Sequence, residues 1–429
     1  MKSFRNLLIL SCMLFLVAGM VMAAGGAQQQ PARPAGPVTI EFMYCIGGSA
    51  QVATLALVER FNALHSGNII VEATYGGSYV EAIRRQLAAI VAGDPPVIMH
   101  QAMTYSAGFI HEGHLEGLNA YFRRDNSVNE TDFVEGLFNL YRWENEIWGV
   151  PYNVSNPIIY YNKDLFRQAG LDPEKPPVTW DEFYEYTKRI AALDPGNIYG
   201  ASLDLGTGWL VQAYSWQWGG DWIARDNSRV VWTDDASMNA ARFMRRMIDE
   251  GVAIIGGGGP MNLGGRVGMW IASTANLVNN MTGANFDMGA AVLPYAVQKK
   301  VPIGGGGLYM TRVPNQYQKD AGWELLKFLS NAESQYFWAE STGYQASSVG
   351  AVNSPQMREL WARDPRYAVT YEQIPYAVAE NDTMLIPFNE ARDLHNEAWN
   401  AVLRAGADPL TVFTDAQNRA NRILEEYRR

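Results

Sequence analysis

The densest run of metal-binding side chains is His111-Glu112-Gly113-His114. Two imidazoles flanking a carboxylate are the ingredients of a zinc hydrolase. That motif needs two residues between the glutamate and the second histidine, and here there is one. The run therefore reads as a surface segment. No Gly-x-Ser-x-Gly elbow exposes a serine nucleophile, and no Gly-x-x-x-x-Gly-Lys-Ser/Thr loop is present to cradle a nucleotide. Cys45 has no evident partner and reads as a packed small residue. The expectation is a protein that is not an enzyme and uses no metal and no cofactor.

What remains is binding chemistry. The chain holds 13 tryptophans and 22 tyrosines. Their faces cover C–H patches of polyols while indole N–H and phenol O–H groups meet the polar edges, although most such residues belong to cores. Two glycine runs stand out, Gly256 to Gly259 and Gly304 to Gly307. The second follows strand-like Val301-Pro302-Ile303, where backbone N–H groups without a Cβ beside them approach an anion or sugar hydroxyls closely. A tight hinge with no ligand is the equal alternative.

Composition narrows the class further. The 429 residues carry a formal charge of −10 and are 48% hydrophobic, which implies a folded acidic protein of two or three domains. No Lys/Arg stripe is present for a nucleic acid. At the start, Lys2 and Arg5 precede an apolar run from Leu7 to Ala24. This reads as a signal peptide over 1–24, so the protein is exported to the periplasm, with a membrane tether or lipidation as lesser alternatives. Cleavage takes the charge from −10 to −12 and removes Cys12, leaving Cys45 without a disulfide partner. Gln28-Gln29-Gln30-Pro31 to Pro37 reads as a flexible leader, 25–37.

The elements that position any site begin at residue 38. Val38, Ile40 and Phe42 alternate with Thr39, Glu41 and Met43, a strand period. Leu57, Phe61 and Leu64 then mark a helix, Ile69 to Thr74 a strand, Ile83, Leu87 and Ile90 a second helix, and Val97 to Met99 a third strand. This alternation predicts a mostly parallel α/β sheet, with ligands outside the carboxyl ends of its strands near Tyr44, Gly76 to Tyr79 and Gln101 to Tyr105. Thr179 and Glu182 form a capping box, and the last helix places Ala416, Ala420, Ile423 and Tyr427 on one side.

The segment Gly149-Val150-Pro151-Tyr152-Asn153-Val154-Ser155-Asn156-Pro157-Ile158-Ile159-Tyr160-Tyr161-Asn162-Lys163-Asp164-Leu165-Phe166 is followed by Ala169-Gly170-Leu171-Asp172-Pro173 and Thr179-Trp180. It resembles the signature of extracellular solute-binding proteins of carbohydrate-type ABC importers. Ala272-Ser273, Ile303-Gly304-Gly305 and Ser341-Thr342-Gly343-Tyr344 extend the likeness, which is strongest to the glycerol-3-phosphate-binding branch. The resemblance implies a two-lobed α/β clamp that closes on its ligand, works as a monomer and hands the ligand to an ABC permease. Lobe one would comprise 38–153 and 305–344, and lobe two 154–304 and 345–429.

By the same resemblance the ligand contacts fall on Tyr79, Ser155, Trp209, Ser273, Gly305, Tyr344 and Arg392. Arg392 would clamp a phosphate bidentately, hydroxyls and the Gly305 N–H would complete its shell, and Trp209 would cover carbon. Two positions depart from the branch. Met103 replaces a carboxylate that would hold glycerol hydroxyls, and the position of the branch's second tryptophan falls near Gly206-Thr207, so that end of the pocket is altered. Asp204, Gln101 or Thr104 would then substitute as acceptor, with Tyr44 nearby. The implied ligand is glycerol-3-phosphate, a glycerophosphodiester or a related polyol phosphate. The rivals are a neutral mono- or oligosaccharide, and, from another class, a secreted glycan-processing enzyme.

Overall fold

A computed structural model describes residues 35–427 apart from 206–207, 225, 227, 257–258 and 379–387. The expected signal peptide, most of the leader and Gly206-Thr207 lie outside the described residues. Ten strands form two five-stranded sheets. They are β1 Val38–Tyr44, β2 Ile69–Tyr75, β3 Ile98–Ala102, β4 Gly149–Ser155, β5 Pro157–Asn162, β6 Tyr199–Leu203, β7 Ala253–Ile255, β8 Val267–Ser273, β9 Met288–Val292 and β10 Gly304–Met310. The first sheet runs β2-β1-β3-β10-β4, with β1 parallel to β2 and β3, and β10 antiparallel to both its neighbours. The second runs β9-β5-β8-β6-β7. Each sheet has its own core, with Phe42, Phe61, Leu118 and Trp338 in the first and Phe166, Trp180, Tyr214 and Trp399 in the second.

The two sheets exchange the chain at the most distinctive sequence motif. Every residue of β4 and β5 is buried, as their β-branched and aromatic content demands. Only Asn156 separates the strands. Its amide donates to the Thr370 carbonyl at 3.1 Å and its oxygen accepts from Gln373 Nε2 at 2.9 Å, so the crossing is pinned without a buried unpaired group.

The helices include α1 Ser49–Leu64, α2 Tyr79–Ala92, α3 Met103–His111, α4 Trp180–Ala191, α5 Trp209–Gln217, α6 Ala332–Thr342, α7 Phe388–Ala405 and α8 Pro409–Tyr427. The Thr179–Glu182 capping box opens α4 as expected. Periodicity placed the core-facing sides but misplaced one residue on each of three helices. Leu64 ends α1 and is exposed, while Leu57 and Phe61 are buried with Ala53 and Val58. On α2 the buried positions are Ala82 and Gln86, and Leu87 is exposed. Gln86 holds its interior place because its amide donates to the His100 carbonyl (3.2 Å) and its oxygen accepts from Gln101 (3.0 Å). On α8 the buried stripe is Phe413, Ala416, Ala420 and Leu424, so Tyr427 faces outward.

Gly304 to Gly307, expected directly after a strand as a close backbone approach or a tight hinge, are themselves the start of β10. The expected lobe boundary places residues 346–360 in lobe two. They pack on α6 of the first lobe, where Ala346, Ala351, Met357 and Leu360 share a cluster with Ala339. The Ser347 hydroxyl also donates to the Pro151 carbonyl at 3.1 Å.

Candidate functional site

Three helices start at one cavity between the lobes. Ser78 caps α2, its hydroxyl accepting the Glu81 N–H at 3.3 Å while Glu81 reaches back to the Ser78 N–H at 2.7 Å. Tyr79, the first residue of that helix, then faces the cavity. Met103 and Thr104 open α3 directly after β3, and Trp209 opens α5 from the second lobe. With Ile303, Gly304, Gly305 and Arg392, these residues line a space of about 290 Å³. First-turn amides have no partner within their own helix and carry the positive end of its dipole, so three such termini favour an anion. Among the described lining residues Arg392 is the one cation, and none is a carboxylate.

Glycines allow the close approach. The Trp209 ring lies against Gly304, where a Cβ would stand 3.2 Å from ring atoms. Gly305 has φ +112°, and a Cβ there would lie 1.8 Å from the Asn153 carbonyl oxygen, so its backbone reaches the cavity in a conformation other residues rarely adopt. The Arg392 stem rests on Gly208, and its guanidinium donates to Asn389 Oδ1 at 3.4 Å. Asn389 in turn donates to the Thr104 carbonyl at 3.1 Å, bridging the lobes.

Ser155, Ser273 and Tyr344 converge on the crossing beside this cavity but are not among its lining residues. Ser155 pairs with Gly304, the Gln345 N–H donates to Val154 at 2.8 Å, and the Thr274 N–H donates to Asn156 at 3.0 Å. The Ser273 hydroxyl accepts the Ala275 N–H at 3.1 Å, and the Tyr344 ring stacks on Trp338 with centroids 5.8 Å apart. Of the further candidates, Met103 and Thr104 line the cavity. Gln101 turns into the first lobe, its oxygen accepting the Ala102 N–H at 2.8 Å and its amide donating to Gln86. The Tyr44 hydroxyl accepts from Gln51 (3.1 Å), and the Asp204 carbonyl accepts from Tyr214 (3.2 Å). The His114 ring lies 2.9 Å from Glu112, and no cluster of metal-ligating groups occurs among the described residues.

Sequence reasoning missed a buried pair behind Tyr79. Asn153 Nδ2 donates to the Tyr79 hydroxyl at 2.7 Å, and its Oδ1 lies 2.7 Å from His100 Nε2. Burial holds the His100 imidazole down to about 4, and burial pushes the Tyr79 phenol well above its ordinary value, so both are neutral at pH 7. Asn153 lies inside the motif that carried the resemblance, but nothing in its residue type announces a partner 53 positions away.

Two lobes, an interlobe cavity and a chain crossing between the two sheets define a ligand-binding clamp. Residues 47–336 match the bacterial extracellular solute-binding protein family, and the chain belongs to it. The chain is 25% identical over 412 residues to the sn-glycerol-3-phosphate-binding periplasmic protein UgpB of Pectobacterium atrosepticum, covering 90% of this chain and 91% of the relative. It is 24% identical over 411 residues to the protein of that name from Escherichia coli K12, covering 91% and 93%. Its fold is similar to that of UgpB from Mycobacterium tuberculosis in complex with glycerophosphocholine (TM-score 0.82, 24% identity, covering 92% and 100%). It is also similar to that of the cyclic alpha-maltosyl-1,6-maltose binding protein of Arthrobacter globiformis (TM-score 0.78, 22% identity, covering 91% and 100%).

Proposed function

We propose that this chain is the periplasmic capture component of an ABC importer, that it has no catalytic role, and that it takes glycerol-3-phosphate, a glycerophosphodiester or a related polyol phosphate. The observation that carries this reading is the convergence of three helix N-termini and Arg392 on a cavity whose described lining holds no carboxylate. A phosphate supplies only acceptors, and such a site offers donors. The names of the relatives point the same way. The volume, about 290 Å³, lies just below the roughly 300–1,000 Å³ common for ligand sites, which suits one small ester better than an oligosaccharide.

Arg392 holds the phosphate in this reading, Trp209 covers the glycerol carbons and Tyr79 donates to an ester or phosphate oxygen. Ser155, Ser273, Gly305 and Tyr344 complete the shell when the lobes close. Met103 lines the end where a carboxylate would bind hydroxyls, so a diester with a substituent there is accommodated as readily as the monoester. Closure is a population shift toward the state with the better ligand contacts, and that closed state is what a permease reads. Calorimetric titration with glycerol-3-phosphate and glycerophosphocholine tests the reading. Binding of either supports it, and binding of maltose with neither phosphate ester overturns the phosphate assignment.

A further inference from the structure

The relay behind Tyr79 has a direction. The Cys45 N–H donates to His100 Nδ1 at 3.4 Å, so the hydrogen of the neutral ring resides on Nε2 and is donated to Asn153 Oδ1 at 2.7 Å. That contact fixes which way the Asn153 amide faces. Its Nδ2 is turned to the Tyr79 hydroxyl, 2.7 Å away. A hydroxyl that accepts from an amide keeps its own hydrogen for another acceptor, and Tyr79 borders the cavity. Gly306 leaves space for this hydroxyl, since a Cβ there would stand 3.0 Å from it.

We propose that Asn153, oriented by His100, is a positioning residue that sets the Tyr79 hydroxyl as an obligate donor to an anionic ligand. A flipped amide would draw the hydroxyl hydrogen to itself and present a lone pair to the cavity. A sugar hydroxyl tolerates either polarity because it both donates and accepts, whereas a phosphate oxygen only accepts. The relay therefore selects for anions through residues that do not line the cavity. This rests on the phosphate reading above and deepens it.

The test titrates glycerol-3-phosphate into the wild-type protein and the Asn153→Asp, His100→Leu and His100→Gln variants, with the ligand-free melting temperature of each recorded. Asn153→Asp replaces the donor by an acceptor of the same shape, and the affinity should fall roughly ten- to hundred-fold. His100→Leu removes the N–H that orients Asn153 and should also weaken binding. His100→Gln restores an N–H near Nε2 and should recover most of the affinity. In a Tyr79→Phe background His100→Leu should cost little more, because its effect passes through the missing hydroxyl. Affinity in Asn153→Asp within threefold of wild type would overturn the relay while leaving the phosphate reading intact. If Asn153→Asp does not fold, equal affinities of the two His100 variants, or losses that track melting temperature alone, would overturn it. A wild-type protein that binds no phosphate ester overturns both.

Discussion

The two faces of the cleft are held by different forces. On the first lobe, Tyr79 is aimed by a chain of hydrogen bonds through Asn153 and His100 to the Cys45 backbone. On the second, Arg392 sits on α7 one turn before His395, which is buried among Trp222, Trp232, Trp399 and Phe413. There the polar atoms His395 Nδ1, Trp232 Nε1 and Trp399 Nε1 have no hydrogen-bond partner among the described residues. Hydrogen bonds fix direction and packing fixes position. The first lobe therefore presents donors of set polarity, and the second presents a charged arm whose helix is located by ring packing.

The largest break in this comparison is Arg392→Ala. It should cost about 2–5 kcal/mol of affinity for glycerol-3-phosphate by calorimetry, because a buried phosphate loses its charged partner. Next is the aromatic box. Burial holds the His395 imidazole down to about 3, whereas an unfolded imidazole takes its proton near pH 6.5. Below about pH 6.5 the unfolded state binds more protons, so stability falls as pH falls towards the native value. His395→Phe keeps a ring in place and should lose roughly 3 kcal/mol less than wild type between pH 7 and pH 4 in denaturant titrations. Equal pH slopes would remove His395 from the account of the second lobe.

Smaller effects sharpen the contrast. Gly305→Ala forces a Cβ against the Asn153 carbonyl at positive φ and should destabilise the protein by about 1–3 kcal/mol, read as a lower denaturation midpoint. Asn389→Ala removes the bridge from α7 to the Thr104 carbonyl and should weaken ligand binding by about 0.5–1.5 kcal/mol with unchanged ligand-free stability. A loss of stability without a loss of affinity would make Asn389 part of the second lobe rather than a contact between the two.

Strands and main crossing were legible because burial writes itself into residue type. The β4–β5 segment is buried throughout and mostly apolar or aromatic, and Val38 to Phe42 alternate. Periodicity failed where a polar residue occupies an interior position through hydrogen bonds, as Gln86 does, since its partners are set by the fold and not by neighbours in sequence. The same holds at the site. Tyr79, Trp209, Gly305 and Arg392 were reached through the family likeness and line one cavity. Asn153 and His100 were invisible as a pair, because the contact joins two strands, β3 and β4, that are separated in the sheet by β10. Gln101 shows the converse error, a polar residue near the right strand end whose side chain is spent inside the lobe.

Thermal unfolding against glycerol-3-phosphate, glycerophosphocholine, other sugar phosphates, maltose and trehalose tests the phosphate site most directly, because a ligand that binds only the native state raises the melting temperature. The account predicts a shift with the phosphorylated glycerols that disappears in Arg392→Ala. A shift with the neutral sugars alone, unchanged in Arg392→Ala, would contradict it.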